Sequence, residues 1–490
     1  MAERRMSGLA LVAALVPLFF VSAAEWHVDN VKGSDASGDG SEAKPFQTIA
    51  AALKRAKVSD AVILTPNPVP YAERVNLPVG GTAEKPFVFD GRGAVISLLT
   101  HYGADKWKRE GDGVYSMPLP NNAHVMDKHW SGFDLVFFDG QAGSNCVSRE
   151  TLVPSGYFLF KRRQQLAGKY HPLHNTLYIR LPEGRTPGEI KVEAPGIATI
   201  LHCEKPHVII RNVTAMYCTQ DGFATTRAPG IVFERVRGCY NMDQGISHHG
   251  AEVTVRDSRF DHNAGCGIVD VYDAVKVRYE RCLIEDDTYR GGVEFHSGEF
   301  VMEECVIRNN PRKAVEVTRP NVRVTLRNCL LMGPEDRSAC AVSHGQGSLK
   351  MERCTLYRFG TGLVVGPGIS NLTVTGCAFI SCDTGYNLVG SAAEGAGTRV
   401  ESDGNFFEPC AFQVHGARYA PADWDAFRAK TGFEKHSICH AYEGALPPFT
   451  LPALSGRGKD GADIGANLDP QHVYGPLGQP PLDVGRRTPK

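Results

Sequence analysis

The sequence contains no C-x-x-C pair, so none of its 14 cysteines sits in a zinc-holding motif. It has no leucine-rich consensus, and residues 201–400 leave no room within a repeat for a helix of ten. Beyond residue 24 no run approaches the ~18 apolar residues of a membrane span. An excess of charge of one sign is missing as well. With the first 24 residues set aside, 51 Lys+Arg face 53 Asp+Glu, a balance that offers nucleic acid no basic surface.

What is present is a period. Cys282, Cys305, Cys329, Cys354 and Cys377 follow one another at 23, 24, 25 and 23 residues. Two residues after each comes an apolar side chain: Ile284, Ile307, Leu331, Leu356 and Phe379. Val213, Val236 and Ser258 hold the cysteine's place in three earlier copies, which makes eight turns. A period of ~20–25 residues belongs to solenoids. The filling is strand, since Val253–Arg256, Val275–Arg278 and Val322–Leu326 alternate apolar with polar between turn residues. Such coils stack at ~4.8 Å, so equivalent residues form ladders. The cysteines are then one buried ladder of small hydrophobes. The alternative is a disulfide framework, pairing neighbouring rungs or Cys377 with Cys382, which a chain of this length does not need as staples.

Arg4 and Arg5, an apolar stretch from Leu9 to Val21 and the small Ser22, Ala23 and Ala24 read as a secretory signal peptide cut near Ala24. The mature protein is expected to be secreted or periplasmic. Residues 25–99 are expected to hold a helical cap, with Ile49, Ala52, Leu53 and Ala56 on one face, and the first coils. Residues 100–200 lose the period and gather aromatics such as Trp107, Trp130, Phe137, Phe138, Tyr157 and Phe158, which reads as an inserted β-rich subdomain. Repeats fill 201–400. Residues 401–490 are expected to form a C-terminal cap, with Trp424 to about Lys430 helical and a loose Pro-rich tail from Pro470.

The opening D-G-S-E-A-K-P-F-Q-T-I (Asp39 to Ile49), the repeats and the closing G-A-D-I-G-A (Gly461 to Ala466) resemble the secreted right-handed parallel β-helix proteins of the pectate-lyase-like superfamily. The resemblance covers roughly residues 26–466. It implies an all-β, right-handed parallel β-helix and a carbohydrate-related function, with a polysaccharide or oligosaccharide as partner. Tyr115–Leu119, Val136–Gly140 and Thr176–Gly184 look like the insert of β-helix glycoside hydrolases.

Setting Gly245, Gly267, Gly291, Lys313 and Cys340 in register gives an outward column of acids, Asp270, Glu294 and Glu316, flanked by Ser247 and Ser343. A second outward column reads His249, Tyr272, His296 and Thr318. A slip of one residue would bury the acids or exchange His248 for His249. In a glycoside hydrolase, two of the acids would act as proton donor and nucleophile, with Glu294 as the acid. His249 and His296 would bind sugar hydroxyls and Tyr272 would stack on a ring, with Arg290, Lys313 and Arg319 as basic neighbours. This reading needs no cofactor. The alternative is a uronan lyase, in which Asp270, Glu294 and Glu316 hold Ca²⁺ and Lys313 or Arg290 is the base. A non-catalytic glycan-binding solenoid is the third reading.

Overall fold

The computed structural model describes residues 23–119, 136–166, 169–196, 199–271, 275–288, 291–317, 319–389, 399–444, 446 and 450–476. The chain winds into a parallel β-solenoid of about 13 turns. The eight turns marked in the sequence are the middle of that stack. Each coil has three short strands, and each strand pairs in parallel with its equivalent one coil later. Three walls result. The first holds Ile231–Glu234, Glu252–Arg256, Lys276–Glu280 and Gly298–Glu303. The second holds Arg237–Cys239, Arg259–Asp261, Leu283–Glu285 and Val306–Arg308. The third holds Ile246–His249, Cys266–Val271, Gly291–Phe295 and Lys313–Val317.

Two sharp corners, each with its own ladder, make the coil close. Between the first and second walls the chain turns through a left-handed residue: Arg235, Asp257, Arg281, Glu304, Asn328 and Arg353 have φ between 49° and 55°. The next residue is the repeat cysteine or its substitute. All 14 cysteines are free, and the five of the ladder are wholly buried. The position takes a small side chain, and several of its occupants also accept a hydrogen bond. The backbone N–H of Cys282 donates to Cys305 Sγ (3.4 Å), that of Val236 to Ser258 Oγ (3.2 Å), and that of Cys377 to Asn405 Oδ1 (2.8 Å).

The corner between the second and third walls repeats the device with Asn241, Asn263, Asp287 and Asn310. Asn241 N–H donates to Asn263 Oδ1 (3.2 Å), Asn263 N–H to Asp287 Oδ1 (2.8 Å), and Asp287 N–H to Asn310 Oδ1 (3.0 Å). Asn263 and Asn310 also donate from Nδ2 to a carbonyl of the coil before. Asp287 takes an asparagine's place, and its buried Oδ2 has no partner. Burial pushes its carboxyl well above the ordinary range, so it keeps its proton.

The helix Ile49–Arg55 lies at the N-terminal end, with Ile49 and Ala52 buried in the core and Leu53 and Ala56 packed on it. Glu73 accepts from the N–H groups of Ile49 and Ala50 at its positive end. At the other end Phe427, from the helix Trp424–Thr431, stacks on Phe412 at 4.2 Å. Strands between Leu99 and Pro195 form two separate sheets, of five and four strands. Their core includes Tyr115, Met117, Phe138, Tyr157, Leu177 and Ile179 and packs on Met242 and Ala264 of the solenoid. Trp107 is buried in that core and donates from Nε1 to the Tyr102 carbonyl (3.1 Å). Trp130 lies outside the described residues.

The tail differs from expectation. Rather than hanging loose from Pro470, its described part runs back along the outside of the second wall. Gly465 N–H meets the Gly376 carbonyl (2.7 Å), Ala466 N–H meets Thr355 Oγ1 (2.8 Å), and Gly475 N–H meets the Asp257 carbonyl (2.7 Å). The wall explains the docking, because its outer face is apolar here. Leu451, Leu454 and Ile464 cover Ala378, Ile380 and Phe406, while Ala466 and Leu468 cover Leu283, Val306, Leu330 and Met332.

The second ladder gives a stability test. Because the folded-state pKa of Asp287 is raised from 3.8, its contribution is complete below that value and is lost as pH rises through the folded-state pKa. Asp287→Asn fits the same place at every pH. The variant should exceed the wild type by about 1–3 kcal/mol near neutrality, with the gap closing toward pH ~4. Urea unfolding at the two pH values measures it, and a gap independent of pH would contradict the protonated assignment.

Candidate active site

The outward face of the third wall depends on register, and register depends on the asparagine ladder. A Cβ on Gly222, Gly245, Gly267 or Gly292 would lie 2.7, 2.9, 2.6 or 2.7 Å from the amide nitrogen or carboxyl oxygen of Asn241, Asn263, Asp287 or Asn310, respectively. Only glycine fits beside the ladder, so these four are equivalent. Gly267 therefore aligns with Gly292 rather than with Gly291, and every residue after it shifts by one.

The shift corrects the acid column. Asp270 pairs with Phe295, and Val269 with Glu294. The outward column reads Ser247, Val269, Glu294, Glu316 and Ser343. Asp270 points into the solenoid and is fully buried. Its Oδ2 accepts from the Tyr279 hydroxyl (2.8 Å) and its Oδ1 from His248 N–H (3.2 Å). Burial raises its pKa to about 8. His248 lies on the same inner column, with Nδ1 2.8 Å from Thr225 Oγ1, and burial lowers its pKa to about 3. Asp270 is thus an interior brace and does not reach a substrate.

Glu294 and Glu316 do share the outer face, on adjacent rungs. Their surroundings differ. Glu294 is only 5% exposed, and His296 Nε2 lies 2.7 Å from its Oε1. Glu316 is more open and is ion-paired with Lys313, three residues before it. The second outward column carries His249, then Val271, where Tyr272 was expected, and His296. Tyr272 and Arg290 themselves lie outside the described residues, as does Thr318. Arg319 is exposed in the turn after Val317.

Two rungs toward the N-terminus, His249 Nε2 is 2.9 Å from Ser247 Oγ. Burial and the nearby His202 hold the His249 pKa below its ordinary value. His202 is a neighbour the sequence reading missed. It faces outward two rungs before Ser247, with Nε2 3.0 Å from Thr226 Oγ1. The alternation in His202–Cys203–Glu204, the same as in Ser247–His248–His249, was the available signal. Another acidic cluster, at Asp261, is structural: Arg237 binds it through two nitrogens at 2.8 and 2.7 Å.

Residues 198–331 match the family described as right handed beta helix region. This part of the chain is a right-handed parallel β-helix. No curated protein matches the chain. Similar solved structures include the complex of XylC with xylose, at 12% identity and a TM-score of 0.49, covering 80% of this chain and 86% of that one. Pectate lyase Pel9A is similar at 10% identity and a TM-score of 0.45, covering 94% and 98%. The lacto-N-biosidase of Eubacterium ramulus is similar at 11% identity and a TM-score of 0.42, covering 85% and 68%. Among the described residues no helix is long and apolar enough to cross a membrane, and no group of three or more His, Cys, Asp or Glu is placed to hold a metal.

The inward placement of Asp270 is open to direct test. Asp270→Ala should cost about 2–4 kcal/mol in denaturant unfolding, because it leaves a void and strips partners from Tyr279 and His248. A loss within about 0.5 kcal/mol, as for a surface site, would restore Asp270 to the outer face.

Proposed function

We propose that the protein is an exported glycoside hydrolase acting on a polysaccharide with retention of configuration. Glu294 is the acid and base, and Glu316 the nucleophile. The observation that carries this reading is the pairing of Glu294 with Glu316 on adjacent outward rungs. Rungs lie ~4.8 Å apart, close to the ~5–5.5 Å between carboxyls of retaining enzymes and short of the room an inverting enzyme leaves for water.

The unlike surroundings divide the roles. Glu316, ion-paired with Lys313 and more open to the face, is the carboxylate placed to attack the anomeric carbon. Glu294 is nearly covered, with its Oε1 2.7 Å from His296 Nε2. In the first step a proton passes from Glu294 to the departing glycosidic oxygen as Glu316 forms the glycosyl ester. In the second, Glu294 takes a proton from water, whose oxygen displaces Glu316. His249 and Ser247 lie on the same face and would bind sugar hydroxyls.

The calcium-dependent lyase is less well supported. It needs three acids on one face, and Asp270 is inside. Its candidate base Lys313 is engaged as an ammonium by Glu316.

Glu294→Gln and Glu316→Gln should each lower kcat by about 10²–10⁴-fold, whereas the exposed Arg319→Gln should change it little. The assay is reducing-end release from a panel of neutral and uronic polysaccharides, with proton NMR following the anomer first formed. Chelator-sensitive ultraviolet absorbance would instead establish the lyase, inversion would sink the paired-rung mechanism, and binding without product would leave a glycan-binding solenoid.

A further inference from the structure

We infer that the exported chain begins at Ala24, its precursor being cut between Ala23 and Ala24, and that the α-ammonium so created is the partner of Asp60. Asp60 sits in the corner between the first helix and the strand Ala61–Leu64 and is only 5% exposed. Its Oδ1 accepts from the Ala24 backbone N–H at 2.9 Å. Its Oδ2 accepts from Trp26 Nε1 at 3.0 Å and from the Lys57 backbone N–H at 2.8 Å. All three donors are neutral N–H groups. A carboxylate withdrawn from water is stabilised far better by a full positive charge at hydrogen-bond distance. Hydrolysis of the Ala23–Ala24 bond supplies one: water adds across the peptide, the carboxylate leaves with Ala23, and Ala24 becomes an ammonium already placed on Asp60.

The sequence admits two frames, because a small residue stands before the cut in each: Ala23, with Val21 two residues before it, and Ala24, with Ser22 two residues before it. The contacts choose between them. Ala24 also gives its carbonyl to Ala61 N–H at 2.8 Å, the first bond of the ladder that pairs Glu25–Val28 with Ala61–Leu64. A cut after Ala24 would remove this acceptor and one donor to Asp60 together. A cut before it keeps both and adds the charge. Ala23 is exposed and Ala24 half-buried, so the fold starts to hold the chain at the residue proposed as its first.

The test begins with the full 490-residue chain produced in a secreting host, followed by N-terminal sequencing and intact mass of the exported protein. The expected sequence opens Ala-Glu-Trp-His. A start at Glu25 or later, or an uncut leader, overturns the proposal. The role of Asp60 is read separately by placing Asp60→Asn in the exported form and in a form that begins one residue earlier, at Ala23, where the Ala24 nitrogen is an ordinary amide. The substitution should reduce the folding constant about three- to tenfold more in the form beginning at Ala24. Equal losses in the two forms would remove the ammonium from the argument.

Discussion

A three-walled coil turns sharply at two of its corners, and each corner leaves backbone N–H groups pointing along the solenoid axis in a place water does not reach. An unpaired buried N–H costs as much as a lost hydrogen bond. The two side-chain ladders answer this constraint. At the first corner Ser258, Cys305, Asn405 and Ser437 accept the N–H of the coil before them. At the second, Asn263, Asp287 and Asn310 do so. Cysteine, serine and asparagine replace one another along this column because each is short and puts an acceptor one or two bonds from Cβ, whereas Val213 and Val236 match only the size.

The same constraint positions the site. The aligned glycines have no side chain because the second ladder fills the space a Cβ would take. Their alignment fixes which residues of the third wall face out. Glu294, Glu316, His249 and His296 are therefore outside, while Asp270 and His248 are inside, as a consequence of hydrogen bonds made at the far end of each strand. A polar inner row of Thr225, His248 and Asp270, met by the Tyr279 hydroxyl from the first wall, then lies behind Ser247 and His249, while Phe295 and Val317 continue that row behind Glu294 and Glu316.

The solenoid and its period were legible because one side of each coil repeats in residue type. Cysteine is rare enough for five evenly spaced copies to stand out. The second ladder was not legible, since Asn263, Asp287 and Asn310 look like ordinary turn formers. Without it, the Gly291–Gly292 pair offered two registers, and the one taken put Asp270 on the wrong side. Glu294 and Glu316 survived because both lie after the ambiguous pair, with no further glycine doublet to shift them. The docking of the tail left no periodic trace, because the cluster that holds Leu468, Leu283 and Leu330 joins residues far apart in sequence.

That docking has a consequence for the order in which the protein can be completed. The outer face of the second wall runs coil by coil from the N-terminal side, yet Leu283, Val306, Leu330, Ala378 and Phe406 share their clusters with Leu451, Leu454, Ile464, Ala466 and Leu468 from the end of the described chain. A β-solenoid can grow by adding each coil to the last. This one grows with an open apolar stripe along its flank. If the coils add in order, the stripe stays open until residues 451–468 are available to lie over coils made before them.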